Sequence, residues 1–110
     1  MKITRKKLYT YIEPEEKSFD LFYKNFSDKY QDFQNDHIII NISNKFNIDL
    51  KELFVLLEVS ENHLNKKLSF ILIVNGIDFD ELPDELIVAP TLTEAKDILE
   101  MEAIERDLGF

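Results

Sequence analysis

The chain has 110 residues, of which 45% are hydrophobic and 12% aromatic, with no cysteine and a formal net charge of −9. This length and apolar content suit one hydrophobic core, so we expect residues 1–110 to form a single domain. The lack of cysteine excludes disulfides, thiolate zinc sites, iron–sulfur clusters and thiol catalysis, and it is typical of a cytoplasmic protein.

The negative charge is concentrated in the last third of the chain. Residues 1–76 contain 11 acidic and 11 basic residues, whereas residues 77–110 contain 11 acidic residues and only Lys96 and Arg106 as bases. Such a surface repels nucleic acid and anionic lipid, so neither is an expected partner. No apolar run approaches the ~20 residues of a membrane span, and the basic start MKITRKK lacks the apolar run of a secretory signal.

The first third of the chain predicts paired strands and then an aromatic helix. KITRKK and LYTYIEP indicate two short strands or one bent strand that ends at Pro14. Ser18 is a suitable N-cap, and the aromatic residues after it recur at three- and four-residue spacing, which is typical of a helix face packed on a core. These aromatic residues are Phe19, Phe22, Phe26, Tyr30 and Phe33.

Two nearly continuous aliphatic runs, HIIINIS (37–43) and LSFILIVNG (68–76), predict strands that are buried on both faces. Between them, Asp49 and Glu52 have the spacing of a capping box and indicate the start of a helix. The residues that this helix is expected to bury are Leu50, Leu53, Phe54, Leu57 and Leu64.

The last third predicts an acidic connection, a short parallel strand in ELIVAP (85–90), and a helix that begins after Thr91 and ends near Gly109. That helix is apolar on two opposite sides. The side expected to face the sheet consists of Leu92, Ala95, Ile98, Leu99 and Ala103. The other side gives a possible interface with a second copy or a partner, or else it wraps around the domain's own edge. This possible interface consists of Met101, Ile104, Leu108 and Phe110.

We therefore predict an α/β fold with a four- to five-stranded, mostly parallel sheet, an N-terminal β-hairpin or bent strand, and helices packed against the sheet. This order resembles the STAS domain of anti-sigma factor antagonists over essentially the whole chain, from KKLYTYIEPEEKSFDLFYKNF through IIINIS and ILIVNG to APTLTEAKDIL. In that family a phrase such as TLEEA opens the final helix, and PTLTEA (90–95) stands in the same place here. The resemblance implies a bacterial-type regulator that acts by protein–protein contact.

The resemblance also defines a candidate partner-binding surface. The regulatory turn of the family carries a hydroxyl residue that an anti-sigma kinase phosphorylates, and the added charge disrupts the partner interface. Here the corresponding turn is Ile48 to Leu53, and Lys51 stands in place of the phosphoacceptor. We therefore expect an interaction module that is not switched by serine phosphorylation, with Ser43 bonded within its own turn. The candidate partner-binding residues are Ser43, Asn44, Asp49, Lys51 and Glu52.

The residues give little support to an enzyme or a cofactor-binding protein. His37 and His63 do not have the spacing of a zinc site, and the chain has no glycine-rich phosphate loop or nucleophile elbow, so we expect no catalytic site and no cofactor. The acidic segment 78–85 is the one alternative as a site for calcium or magnesium, although Leu82 and Pro83 interrupt it. The acidic residues of this segment are Asp78, Asp80, Glu81, Asp84 and Glu85.

Overall fold

A computed structural model describes residues 1–109 and shows an α/β fold built on one five-stranded mixed sheet in the order β1-β2-β3-β4-β5. The first two strands are antiparallel, and β2 to β5 are parallel to one another, so the predicted fold class, hairpin and mostly parallel sheet are confirmed. The strands are β1 (Lys2–Arg5), β2 (Thr10–Glu13), β3 (Ile38–Asn41), β4 (Phe70–Ile73) and β5 (Ile87–Ala89). The helices are α1 (Phe19–Lys29), α2 (Leu50–Val55), α3 (Leu57–Asn65) and α4 (Leu92–Asp107).

The two central strands are buried on both faces, as the aliphatic runs predicted. Ile39 pairs with Ile71 and Ile40 pairs with Leu72, and all four side chains are fully buried. Because successive side chains of a strand point to opposite faces, β3 and β4 supply apolar side chains to both layers of the core. Their burial requires helices on both faces of the sheet.

One face of the sheet, which we name the front face, is covered by α1, α2 and α3. Its core is aromatic: the ring of Phe26 lies 6.0 Å from Phe22, 5.5 Å from Phe33 and 6.2 Å from Phe70, measured between centroids. The N-cap of α1 is Ser18, whose Oγ accepts a hydrogen bond from the N–H of Leu21. The predicted aromatic face of α1 is thus the centre of the front core.

The single helix expected after Asp49 is instead two helices that meet at Leu56. The N–H of Leu56 bonds to the carbonyl of Leu53, three residues earlier, so the α-helical hydrogen-bond pattern is interrupted at this residue. Leu53 and Leu56 are fully buried, whereas 45% of the Phe54 side chain is exposed. The prediction that Phe54 is a core residue was therefore wrong, because α2 turns that position toward solvent.

The opposite face, which we name the back face, is covered by α4 alone among residues 1–109. Ala95 and Leu99 of α4 pack on Ile71, Ile73 and other back-facing residues, mainly on β4 and β5. The Oγ1 atom of Thr91 caps this helix by accepting from the N–H of Glu94, as predicted. The expectation that Ala103 faces the sheet was wrong, since that residue is exposed.

The chain builds the sheet in one direction. The connection from β2 to β3 contains α1, and the connection from β3 to β4 contains α2 and α3. All three helices lie on the front face, and each parallel strand is added beside the preceding one. In open parallel sheets a deep ligand crevice forms where the strand order reverses, and this sheet has no such reversal. Within residues 1–109, none of the helices is both long enough and apolar enough to cross a membrane.

Candidate functional site

A groove at the carboxyl edge of the parallel strands lies between the start of α2 and the loop that follows β4. It has a volume of about 630 Å³. One wall contains Asp49 and Lys51, two of the predicted partner-binding residues. The complete lining is Ile48, Asp49, Leu50, Lys51, Gly76, Ile77, Asp78 and Glu81.

The α2 wall is held in place by a complete capping box. The Asp49 carboxylate accepts from the N–H of Glu52 at 2.8 Å, and the Glu52 carboxylate accepts from the N–H of Asp49 at 3.2 Å. Each acid satisfies a backbone donor that the helix start leaves free, so both side chains have a structural task. Lys51 is exposed on the first turn of α2 and lines the groove.

Ser43 and Asn44 follow β3 at the same edge but do not line the groove. The Ser43 Oγ accepts a hydrogen bond of 2.6 Å from the N–H of Asn75, so it fixes the end of β4 rather than its own turn, contrary to expectation. Asn44 donates from Nδ2 to the Glu13 carboxylate at 3.4 Å. The structure therefore brings Asp49 and Lys51 into one groove and uses Ser43, Asn44 and Glu52 to hold the loops around it.

The second wall of the groove, residues 76–81, was not identified from the sequence as part of this site. Gly76 has φ +76°, a backbone conformation that favours glycine and turns the chain sharply after β4. A signal for this wall existed, because loops that follow neighbouring parallel strands emerge at the same edge of a sheet. The order of β3 and β4 in the sheet was the missing information.

The acidic segment 78–85 is spread over a short turn rather than gathered around a point. Asp78 caps a turn of 3₁₀ helix by accepting from the N–H of Asp80 at 3.0 Å. Across the described part of the chain, no three histidine, aspartate or glutamate side chains are grouped closely enough to hold a metal ion. The calcium or magnesium alternative therefore has no geometric support there.

Both histidines are held by hydrogen bonds within the fold. His63 is fully buried, with Nδ1 on the Tyr30 hydroxyl and Nε2 on the Asp36 carbonyl. The Nδ1 atom of His37 accepts from the N–H of Ser69 at 2.9 Å. Burial lowers the pKa of His63, and burial together with the charge of Arg106 lowers the pKa of His37. Both rings are thereby kept neutral and serve as structural links.

A second pocket, of about 360 Å³, lies at the opposite, amino edge of the sheet between the β1–β2 turn and residues 35–37. Arg5 crosses it to the Asp36 carboxylate at 2.8 Å and to the Asp32 carbonyl at 3.0 Å. Lys6 and Lys7 also line this pocket. The amino edge therefore carries three consecutive basic residues, Arg5, Lys6 and Lys7, of which Arg5 is paired with Asp36.

The outer side of α4 is exposed and apolar. Met101, Ile104 and Leu108 are 60%, 58% and 65% exposed, respectively, so this terminus does not wrap these three side chains into its own domain. Phe110, the fourth residue of the predicted interface, lies outside the described residues. The comparison with known proteins assigns no role to this or any other surface, because no family model and no curated protein matches the chain.

Proposed function

We propose that the chain is a non-enzymatic interaction module of the cytoplasm that binds a protein partner through the groove at the carboxyl edge, in the manner of a STAS-type anti-sigma factor antagonist. The observation that supports this proposal is the position of Asp49 and Lys51. They lie at the turn that the STAS resemblance points to, and that turn forms one wall of a groove of about 630 Å³.

The chemistry of the groove suits a protein segment. Its apolar part comes from Ile48, Leu50 and Ile77, and charged groups of both signs surround it. Partly buried apolar contact with a charged rim is the usual composition of a transient protein interface. The unidirectional sheet supports the same proposal, since it gives no deep crevice in which to enclose a nucleotide.

Two features support a module that is not switched by serine phosphorylation. Lys51 cannot accept a phosphate, and it places a positive charge where a phosphoserine would place a negative one. Ser43, the nearest hydroxyl residue, is half-buried, and its Oγ is bonded to the N–H of Asn75. A phosphate on Ser43 would break that bond and separate the ends of β3 and β4.

The first experiment is a pull-down from native lysate, quantified by mass spectrometry, with wild-type protein beside Lys51→Glu. Lys24→Glu is the matched control, since Lys24 is an exposed lysine on α1 outside the groove. We expect a partner that is recovered in equal amounts with the wild type and the control. With Lys51→Glu, the amount of this partner should fall at least about tenfold. A set of bound proteins that is identical for all three would contradict the groove as the binding site.

The phosphorylation part of the proposal is tested separately on protein purified from native cells. Intact-mass and peptide analysis should show no phosphate on Ser43, and Ser43→Ala should retain the partner. Stoichiometric phosphate on Ser43, with partner binding lost on phosphorylation, would show a switch of the kind that the proposal denies.

A second candidate function is a homodimeric scaffold that uses α4. The observation in its favour is the exposed row of Met101, Ile104 and Leu108, because apolar rows of this kind are common at interfaces between subunits. The surface is distinct from the groove, so the two functions are compatible.

A further inference from the structure

The back face of the sheet is only half covered within the described residues. The helix α4 packs on β4 and β5, and Tyr9 and Tyr11 are partly buried at the margin of that contact. Ile3 and Ile12 pack into the front core, and Thr4 pairs with Tyr11, so Thr4 and Tyr11 share the back face of the β1–β2 hairpin. We name this back-facing surface of residues 2–11 the hairpin shelf.

The hairpin shelf is basic at one end. Lys2 and Thr4 are two residues apart in β1, so the side chain of Lys2 also points to the back face. Lys6 and Lys7 form the turn at the end of the hairpin. Leu8, beside these lysines, is 63% exposed. Glu13 pairs with Lys2 on the same face, so the excess positive charge of the shelf comes from Lys6 and Lys7 at the turn. The shelf thus combines an aromatic floor with positive charge at one end.

The outer side of α4 has the complementary character. Met101, Ile104 and Leu108 fall within about 60° of one another on the helix and point away from Leu99, which faces the sheet. Acidic side chains accompany this row along the exposed surface of the helix. These acidic residues are Asp97, Glu100, Glu105 and Asp107.

We infer that two copies of the chain associate back to back, with the α4 helix of each copy lying on the hairpin shelf of the other. Each α4 helix then contacts its own β4–β5 on one side and its partner's β1–β2 on the other. A two-fold axis makes both contacts at once, which gives a closed dimer rather than a chain of subunits.

Charge decides between this arrangement and the simpler pairing of two α4 helices along their apolar rows. Direct pairing of two identical acidic helices brings like charges together, and such contacts oppose association. Placement of α4 on the shelf brings its acidic side chains toward Lys6 and Lys7 of the other copy. The same contact covers Met101 and Ile104 with the aromatic floor of the shelf.

Sedimentation velocity of the full chain tests the dimer. We expect a reversible dimer that weakens at least about tenfold with Ile104→Asp, and similarly with Lys6→Glu combined with Lys7→Glu. Leu21→Asp on α1 is the matched control, because Leu21 is 50% exposed on the front side and should not affect association. A monomer at every concentration up to the solubility limit would overturn the inference.

The contact itself can be tested by disulfide trapping, since the chain has no native cysteine. Thr4→Cys mixed with Ile104→Cys should cross-link into a heterodimer under mild oxidation, and each variant alone should cross-link much less. Efficient cross-linking of Ile104→Cys to itself would show direct helix pairing and would contradict the shelf. Lys51→Glu should leave the dimer unchanged. The dimer and partner binding in the groove are therefore tested by different variants, and either proposal can fail without the other.

Discussion

The hydroxyl of Tyr30 lies 2.5 Å from Nδ1 of His63, and this pair joins the end of α1 to the end of α3 across 33 residues of sequence. The Nε2 atom of the same ring lies 2.7 Å from the carbonyl oxygen of Asp36. Because a carbonyl can only accept, Nε2 carries the hydrogen and Nδ1 accepts from Tyr30. One neutral, buried ring therefore holds three separate segments of the chain together.

Replacing Tyr30 with phenylalanine tests how much the hydrogen bond to His63 contributes to the free energy of unfolding. The ring of Tyr30→Phe can still pack beside Phe26 and Phe33, but the buried Nδ1 of His63 loses its donor. We expect the free energy of unfolding to fall by about 1–3 kcal/mol, measured by urea denaturation at neutral pH. Tyr23→Phe, on the same helix, is the control and should change it by less than about 0.5 kcal/mol. Equal effects of the two changes would show that the link to His63 adds nothing.

The two histidines predict a specific pH dependence of stability. Burial lowers the pKa of both His63 and His37 below the ordinary value of 6.5 in the folded chain. The unfolded chain therefore binds more protons in the window below pH 6.5, so stability is full above that pH and falls as the pH decreases through it. Urea denaturation between pH 8 and pH 5.5 should show this loss before the carboxylates titrate. Histidine ring resonances that titrate at or above pH 6.5 in the folded protein would contradict the prediction.

A pair of phenylalanines tests the difference in burial between Phe26 and Phe54. Phe26→Ala removes a fully buried ring at the centre of the front core, and we expect a loss of about 3–5 kcal/mol. Phe54→Ala removes a ring that is 45% exposed, and we expect a loss below about 1 kcal/mol. Thermal or urea denaturation of the two variants compares them directly. A large loss with Phe54→Ala would contradict the exposed position of this residue on α2.

Two positions with positive φ should respond to substitution in opposite directions. Lys67, just after α3, has φ +61°, where a side chain is strained, so Lys67→Gly should raise the free energy of unfolding by up to about 1 kcal/mol. Gly76 has φ +76°, and Gly76→Ala should lower it by about 1 kcal/mol. No atom lies within 4 Å of an added Cβ at Gly76, so that loss would come from the backbone alone. Denaturation curves that shift in the same direction for both variants would contradict the assignment of these turns.

The features that were predictable from the sequence depend on short-range interactions. Ser18, Asp49 and Thr91 each bond to a backbone N–H three residues onward, so a local pattern was sufficient to locate three helix starts. The aliphatic runs of β3 and β4 were equally informative, because burial on both faces leaves no polar alternation.

The features that were not predictable depend on distant segments. His63 is buried because Tyr30 and Asp36 supply its partners from elsewhere in the chain, and the spacing around His63 carries no trace of them. In the candidate site, Asp49 and Lys51 were identifiable from their own turn, whereas the wall that contains Asp78 and Glu81 follows from the order of the strands.

The strand order has a consequence for how the chain is made. Each strand pairs with the strand before it in the sequence, so no strand has to be inserted between two that are already paired. The sheet can therefore grow as the chain leaves the ribosome, with each new strand adding to the exposed edge of the last one. Only α4, the final element, must be complete before the back of β4 and β5 is protected from water.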